Sequence, residues 1–130
     1  MSTASGLPPV HRRAFEFRQL VGLFLESKGI PNRIRPGHKI KRQTLAETFA
    51  GPEQPKGDVW NVPNWLISTR TDVARDLSGA LDQAAHDAEV AGVPHSAVIW
   101  RRHGREVQES YVVLPLATFG DVLKEARDDG

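Results

Sequence analysis

The sequence predicts an α/β domain in which a small mixed central sheet is flanked by helices. Apolar residues recur at helical spacing in residues 11–28, 73–91 and 116–127, which is typical of helices with one buried face. Short runs of β-forming residues lie between these segments. A helix and a sheet each bury an apolar face against another element, so the packing expected is helices on the faces of one sheet.

The first half of the predicted domain is a helix, a long loop and a hairpin. The helix over residues 11–28 ends at Gly29 and Pro31, which are typical stop signals. Glycine and proline then recur through residues 30–57, which predicts a loop with one helical turn at Gln43–Phe49. Residues 58–62 and 65–69 surround a Pro-Asn turn and predict two antiparallel strands.

The second half is a helix, two strands and a last helix. Thr71 and Asp72 are predicted to cap the middle helix, which runs to Ala91 before Gly92 and Pro94. Residues 97–100 and 107–114 predict two antiparallel strands around an arginine-rich turn. The strands that flank the middle helix are expected to lie parallel, joined by a right-handed crossover. We predict a flexible tail over residues 1–10 and one domain over residues 11–130, because 130 residues suit a single core.

The charge is distributed unevenly along the chain. The formal net charge is +1, but residues 1–46 carry +7 and residues 47–130 carry −6. Between Lys28 and Arg42 the chain holds six Lys or Arg residues and no acid. This run lies in the predicted loop and favours contact with phosphates, although a solvated basic loop would have the same composition. The predicted nucleic-acid contacts are Arg33, Arg35, Lys39, Lys41, Arg42, Arg101 and Arg102.

Several chemistries are excluded by residue type or spacing. The chain has no cysteine, so it has no disulfide, no thiolate zinc ligand and no cysteine nucleophile. There is no nucleophile-elbow serine motif and no phosphate-binding glycine-rich loop. No run of apolar residues is long enough to span a membrane, and the first residues lack the pattern of a signal peptide. We therefore expect a cytoplasmic protein.

Two strand ends carry polar residues that are candidates for a metal site. Gly57-Asp58 begins one predicted strand, and Ser68-Thr69-Arg70 ends the next. Neighbouring strands can aim such groups at one point, and oxygen ligands suit Mg²⁺. A Gly-Asp pair is also common in simple turns. Glu16 and Gln83 lie on predicted helices, where each is a candidate site residue or an ordinary surface side chain.

Several segments together resemble one known family. They are Gly57-Asp58-Val59, Trp65-Leu66-Ile67, Asp76–Ala84, Ala97–Arg102 and Tyr111–Leu116. Their order and spacing, over residues 11–127, resemble small Holliday-junction-resolvase-like proteins encoded by phages of actinobacteria. These proteins belong to the PD-(D/E)XK, or restriction-endonuclease-like, superfamily. The resemblance implies a restriction-endonuclease-like core, DNA as partner and a homodimer acting on branched DNA in a bacterial cell.

The resemblance also implies roles for particular residues. In the superfamily a helix glutamate, a Gly-Asp aspartate and a Glu-x-Lys motif surround Mg²⁺, which helps to activate the attacking water. By position, Glu16 and Asp58 correspond to the two metal-binding acids. Gln83 corresponds to a glutamine found on the next helix of related resolvases.

The Glu-x-Lys motif is replaced by Ser68-Thr69-Arg70. Serine supplies no charge to a metal, and arginine retains its proton. One reading is a DNA-binding protein with weakened or lost nuclease activity. A second is an active Mg²⁺-dependent endonuclease in which Asp72 or Asp76 replaces the missing acid. A third is a phage protein that regulates or inhibits a host factor by binding it.

Overall fold

The computed structural model of the chain describes residues 9–36, 56–71 and 76–129. The helices are α1 (Pro9–Ser27), α2 (Leu77–Ala91) and α3 (Leu116–Asp129), with a short 3-10 helix at Val107–Glu109. The strands are β1 (Arg33–Ile34), β2 (Val59–Trp60), β3 (Trp65–Arg70), β4 (His95–Trp100) and β5 (Tyr111–Val113). The predicted α/β class, a mixed sheet flanked by helices, is confirmed.

The five strands form one sheet in chain order. β3 and β4 are parallel, whereas β1–β2, β2–β3 and β4–β5 are antiparallel. The parallel pair follows from α2, since an intervening helix returns the chain to the same end of the sheet. The expected parallel pairing of the strands on either side of the middle helix is therefore confirmed.

One edge of the sheet collects the ends of several strands. β1, β3 and β4 run in the same direction, so their carboxyl ends meet the starts of β2 and β5. We call this the carboxyl edge. It is formed by Arg35, Asp58, residues 69–71, residues 100–102 and Tyr111.

Apolar residues cover both faces of the sheet. On one face Phe17 and Val21 of α1 pack with Val59 and Ile67. On the other face, Ala84 and Ala88 of α2 pack with the alternate strand residues Leu66 and Val98. Successive strand side chains point to opposite faces, so β3 contributes Ile67 to the first cluster and Leu66 to the second. The two helices thereby hold the sheet, and its carboxyl edge, in a fixed orientation.

β1 and the start of α2 differ from the sequence prediction. β1 lies inside the predicted loop and pairs with β2 through only two residues, too few to leave a periodic pattern. α2 begins at Leu77, where Asp76 caps it by accepting a hydrogen bond from the Gly79 amide at 2.8 Å. The expected cap, Thr71, precedes the helix by several residues, and Asp72 lies outside the described residues.

The remaining differences concern the chain ends and the last strand. The predicted strand over residues 107–114 is instead a 3-10 helix followed by the short β5. Reciprocal hydrogen bonds between Glu106 and Glu109 cap that turn and end the extended conformation. α1 begins at Pro9, inside the predicted tail. No helix in the described part of the chain is long and apolar enough to cross a membrane.

Candidate nucleic-acid interface

Asp58 lies at the carboxyl edge, against the end of β3. Gly57, with φ of +87°, brings the chain close to β3, where an added Cβ would lie 3.1 Å from the Ile67 carbonyl oxygen. The Asp58 amide donates to that carbonyl at 2.7 Å. Oδ2 of Asp58 accepts from the Thr69 amide at 2.8 Å and contacts the Thr69 hydroxyl at 3.4 Å. The structure thus brings Asp58 next to the Ser68-Thr69-Arg70 segment.

The other carboxylate oxygen of Asp58 is paired with Arg35. Oδ1 accepts from Nε of Arg35 at 2.9 Å and from Nη2 at 2.8 Å. The Asp58 side chain is 13% exposed and that of Arg35 is 45% exposed. The two backbones are also joined, because the Arg35 amide donates to the Asp58 carbonyl at 2.9 Å. Both oxygens of the carboxylate therefore have protein partners.

Arg18 is a second guanidinium close to this pair. It lies on the buried face of α1 with 5% exposure, and its Nη1 donates to the carbonyls of Arg35 at 2.8 Å and Pro36 at 3.4 Å. Burial lowers the pKa of Arg18, the charge of Arg35 lowers it further, and Asp58 opposes both effects. Arg18 was not among the predicted site residues. The signal that could have found it is an arginine in register with Phe17 and Val21 on the apolar side of the helix.

This arrangement does not fit a Mg²⁺ site. The Asp58 oxygens are held by Arg35 and by Thr69, and Ser68 supplies no charge. Within residues 12–36, 56–71 and 76–128, no cluster of three acidic or histidine side chains could hold a metal ion. A divalent cation at Asp58 would have to displace Arg35 and would lie near Arg18.

Glu16 and Gln83 are not brought to Asp58. Glu16 is exposed between the buried Phe15 and Phe17. At 100° per residue it lies roughly opposite the buried face of α1. Gln83 is exposed on α2 and donates to Asp87 at 3.0 Å, one turn away. Of the two possible replacement acids, Asp76 is occupied as the α2 cap, and Asp72 lies outside the described residues.

Arginines continue along the carboxyl edge beyond Asp58. Arg70 ends β3 with an exposed side chain, and its carbonyl accepts from the Arg101 amide at 2.9 Å. The Arg101 guanidinium lies 5.9 Å from the centre of the Phe17 ring, and that of Arg102 lies 4.7 Å from the centre of the Tyr111 ring. Among the described residues of the edge, Asp58 is the acid, and Arg35 already pairs with it. This described part of the edge therefore carries an excess of positive charge.

A cavity of about 350 Å³ opens next to these arginines. Its wall combines two aromatic rings with several basic groups. The lining residues are Thr71, Trp100, Arg101, Arg102, His103, Arg105 and Tyr111. Arg105 is paired with Glu109 at 3.3 Å. Trp100, Tyr111 and Arg105 were not predicted as site residues. Trp100 and Tyr111 come together only through the register of β4 and β5.

The rest of the predicted basic surface is described in part. Arg33 is exposed at the start of β1, next to the strand end that carries Arg35. Lys39, Lys41 and Arg42 lie outside the described residues. No protein-family model, curated protein or solved structure matches this chain.

Proposed function

We propose that this protein binds DNA through its carboxyl edge and does not hydrolyse it. The observation that carries the proposal is the row of Arg70, Arg101 and Arg102 along one edge, where Arg35 neutralises the nearby acid Asp58. Arginine suits this role because its planar group contacts phosphate through two donors at once. The predicted contacts Lys39, Lys41 and Arg42 follow Arg35 in the chain, and we include them in the same surface.

The experiment is a titration of labelled DNA with the full chain over a range of salt concentrations. Binding through phosphates releases counterions, so the logarithm of the affinity should fall linearly with the logarithm of the salt concentration. The double variant Arg70→Gln, Arg101→Gln should bind more weakly and reduce this slope by about 2, since each phosphate contact contributes about 1.

The double variant Lys124→Gln, Arg127→Gln is the matched control. It removes the same two charges from α3, on either side of Glu125 in the sequence, and Glu125 contacts His95 at the opposite edge of the sheet. This variant should retain both the affinity and the slope. Absent binding, or binding that does not respond to salt, would contradict the proposal. A stoichiometric complex with a host protein, formed without nucleic acid, would instead support a regulator of a host factor.

The nuclease resemblance forms the second part of the proposal. A restriction-endonuclease-like core is supported by the position of Asp58, which immediately precedes β2 and contacts the end of β3 as the resemblance implies. It is also supported by the parallel β3–β4 pair on either side of α2. On this proposal the chain works in the cytoplasm of a bacterial host, as a homodimer on branched DNA.

An active endonuclease is the alternative reading of the same fold. It requires Asp58 to bind Mg²⁺ or Mn²⁺ together with a second acid. A labelled four-way junction incubated with the protein and either metal tests it directly. We expect no cleavage, because Asp58 is paired with Arg35. Cleavage that Asp58→Ala abolishes would establish the enzyme and refute this part of the proposal.

A further inference from the structure

The cavity beside β5 is located where ligands are commonly bound in open α/β sheets. Such ligands lie in a crevice beyond the carboxyl ends of parallel strands. Here Arg70 and Trp100 are register partners that end the parallel strands β3 and β4. Thr71, Trp100 and Arg101 then line the cavity. Its volume of about 350 Å³ is within the range of small-ligand sites, about 300–1,000 Å³.

The aromatic groups in the cavity have a defined arrangement. The rings of Trp100 and Tyr111 lie 6.3 Å apart at 62°, edge to face. Tyr111 begins the short β5 and remains 50% exposed. The Arg102 guanidinium lies above the Tyr111 ring at 4.7 Å, a distance at which a cation is attracted to the ring. An exposed aromatic side chain is thus fixed beside a positive group.

This combination is more than duplex binding requires. Contacts to a duplex backbone need cations and hydrogen-bond donors, which Arg70 and Arg101 already provide. Half-exposed rings beside arginines are typical of sites that stack an unpaired base and bind its phosphate. The cavity therefore has chemistry for both parts of a nucleotide.

We propose that this cavity binds one unpaired nucleotide, with its base against Trp100 and the part of Tyr111 that Arg102 leaves exposed, and with its phosphate on Arg102. The inference rests on the proposed DNA binding and deepens it. It states that the protein prefers DNA that contains unpaired bases over a continuous duplex. A free nucleotide has the same chemistry as a nucleotide within a strand, so the experiment separates the two sources.

The test compares Tyr111→Leu with Tyr111→Phe in the full chain. Leucine removes the ring and keeps an apolar side chain, whereas phenylalanine retains the ring. Each variant is titrated with a labelled thymidine oligonucleotide, a duplex of equal length and thymidine monophosphate. Melting curves check that the variants fold. We expect them to fold, because Tyr111 is half exposed and its replacement leaves the core unchanged.

We expect the single strand to bind more tightly than the duplex. Tyr111→Leu should weaken single-strand binding by about tenfold, the size expected for one stacked base. It should leave duplex binding within about twofold, and Tyr111→Phe should resemble the unchanged protein. Arg102→Lys retains the charge but loses the planar group, and it should also weaken the single strand more than the duplex.

Other outcomes separate this inference from the proposed function. Equal effects of leucine and phenylalanine, or equal losses for single strand and duplex, would overturn the nucleotide site while salt-dependent DNA binding stands. Binding of thymidine monophosphate alone, lost in Tyr111→Leu, would support a nucleotide site but overturn DNA as its source. Failure of all three ligands to bind would overturn both proposals.

Discussion

Asp58→Ala is the substitution that tests how the carboxyl edge is held together. The change removes the acceptor of the Thr69 amide at 2.8 Å and the partner of the Arg35 guanidinium. A hydrogen bond to a charged group contributes about 1.5–3 kcal/mol. The ion pair adds only about 0–1 kcal/mol, because Arg35 is 45% exposed and water screens it. We expect Asp58→Ala to lower the free energy of unfolding by about 2–3 kcal/mol.

Two further variants divide this loss between its causes. Asp58→Asn retains an oxygen that can accept from the Thr69 amide but removes the charge, so its loss should be about 1 kcal/mol. Arg35→Ala removes the ion pair and leaves the Thr69 bond intact, so it should cost about 1 kcal/mol or less. In a double-mutant cycle, Asp58 and Arg35 should couple by about 0.5–1 kcal/mol.

The assay is urea unfolding of each variant, with the slope of the free energy against urea compared throughout. A constant slope shows that the same surface is exposed on unfolding, so the differences reflect the lost contacts. A higher stability of Asp58→Ala would contradict this expectation, because it would indicate an acid held at a functional site at the expense of stability. An equal loss of stability in Asp58→Asn and Asp58→Ala would contradict it as well.

Three further predictions concern the same elements. Arg18→Met should lower the free energy of unfolding by about 1–3 kcal/mol, because two carbonyls lose a donor. The control Arg13→Met changes an exposed side chain and should alter the free energy of unfolding by about 0.5 kcal/mol or less, so equal effects of the two variants in urea unfolding would contradict this prediction. Millimolar Mg²⁺ or Mn²⁺ should not raise the melting temperature, since a ligand stabilises only a fold that binds it, and a rise that Asp58→Asn abolishes would show metal binding. Light scattering should detect the proposed homodimer at twice the chain mass of 14.4 kDa, and a mass of 14.4 kDa at all concentrations would contradict it.

The fold could be predicted from the sequence wherever local periodicity and packing agree. The middle helix between two strands dictated the parallel pair, because only a crossover joins such strands. β1 could not be predicted, since its two residues form a strand only through pairing with β2. The sequence predicts the N-cap of α2 at Thr71 and Asp72, although Asp76 forms this cap. Both sites carry capping residue types, and the choice depends on where the chain leaves β3.

The candidate site was predictable within neighbouring strands and not beyond them. The meeting of Asp58 with the end of β3 follows from hairpin register alone. Its pairing with Arg35 joins residues that are 23 apart in sequence, and it depends on β1 lying beside β2. The sequence predicts Glu16 as a site residue from its place on the first helix and from the resemblance, but the helical phase of α1 turns Arg18 towards Asp58 instead.

The charges around Asp58 also indicate which ligand the carboxyl edge favours. At an effective dielectric constant of about 20, a divalent ion 4 Å from a carboxylate gains about 8 kcal/mol, and an arginine at the same distance cancels that gain. Arg35 is bonded to Asp58, so the pair offers a divalent cation little net attraction to offset the loss of its hydration. A phosphate is negative and is therefore attracted by arginine. Arg70, Arg101 and Arg102 lie farther along the edge from Asp58, so its charge weakens this attraction little. The internal ion pair therefore disfavours a metal and leaves the charges of the outer arginines available to a phosphate.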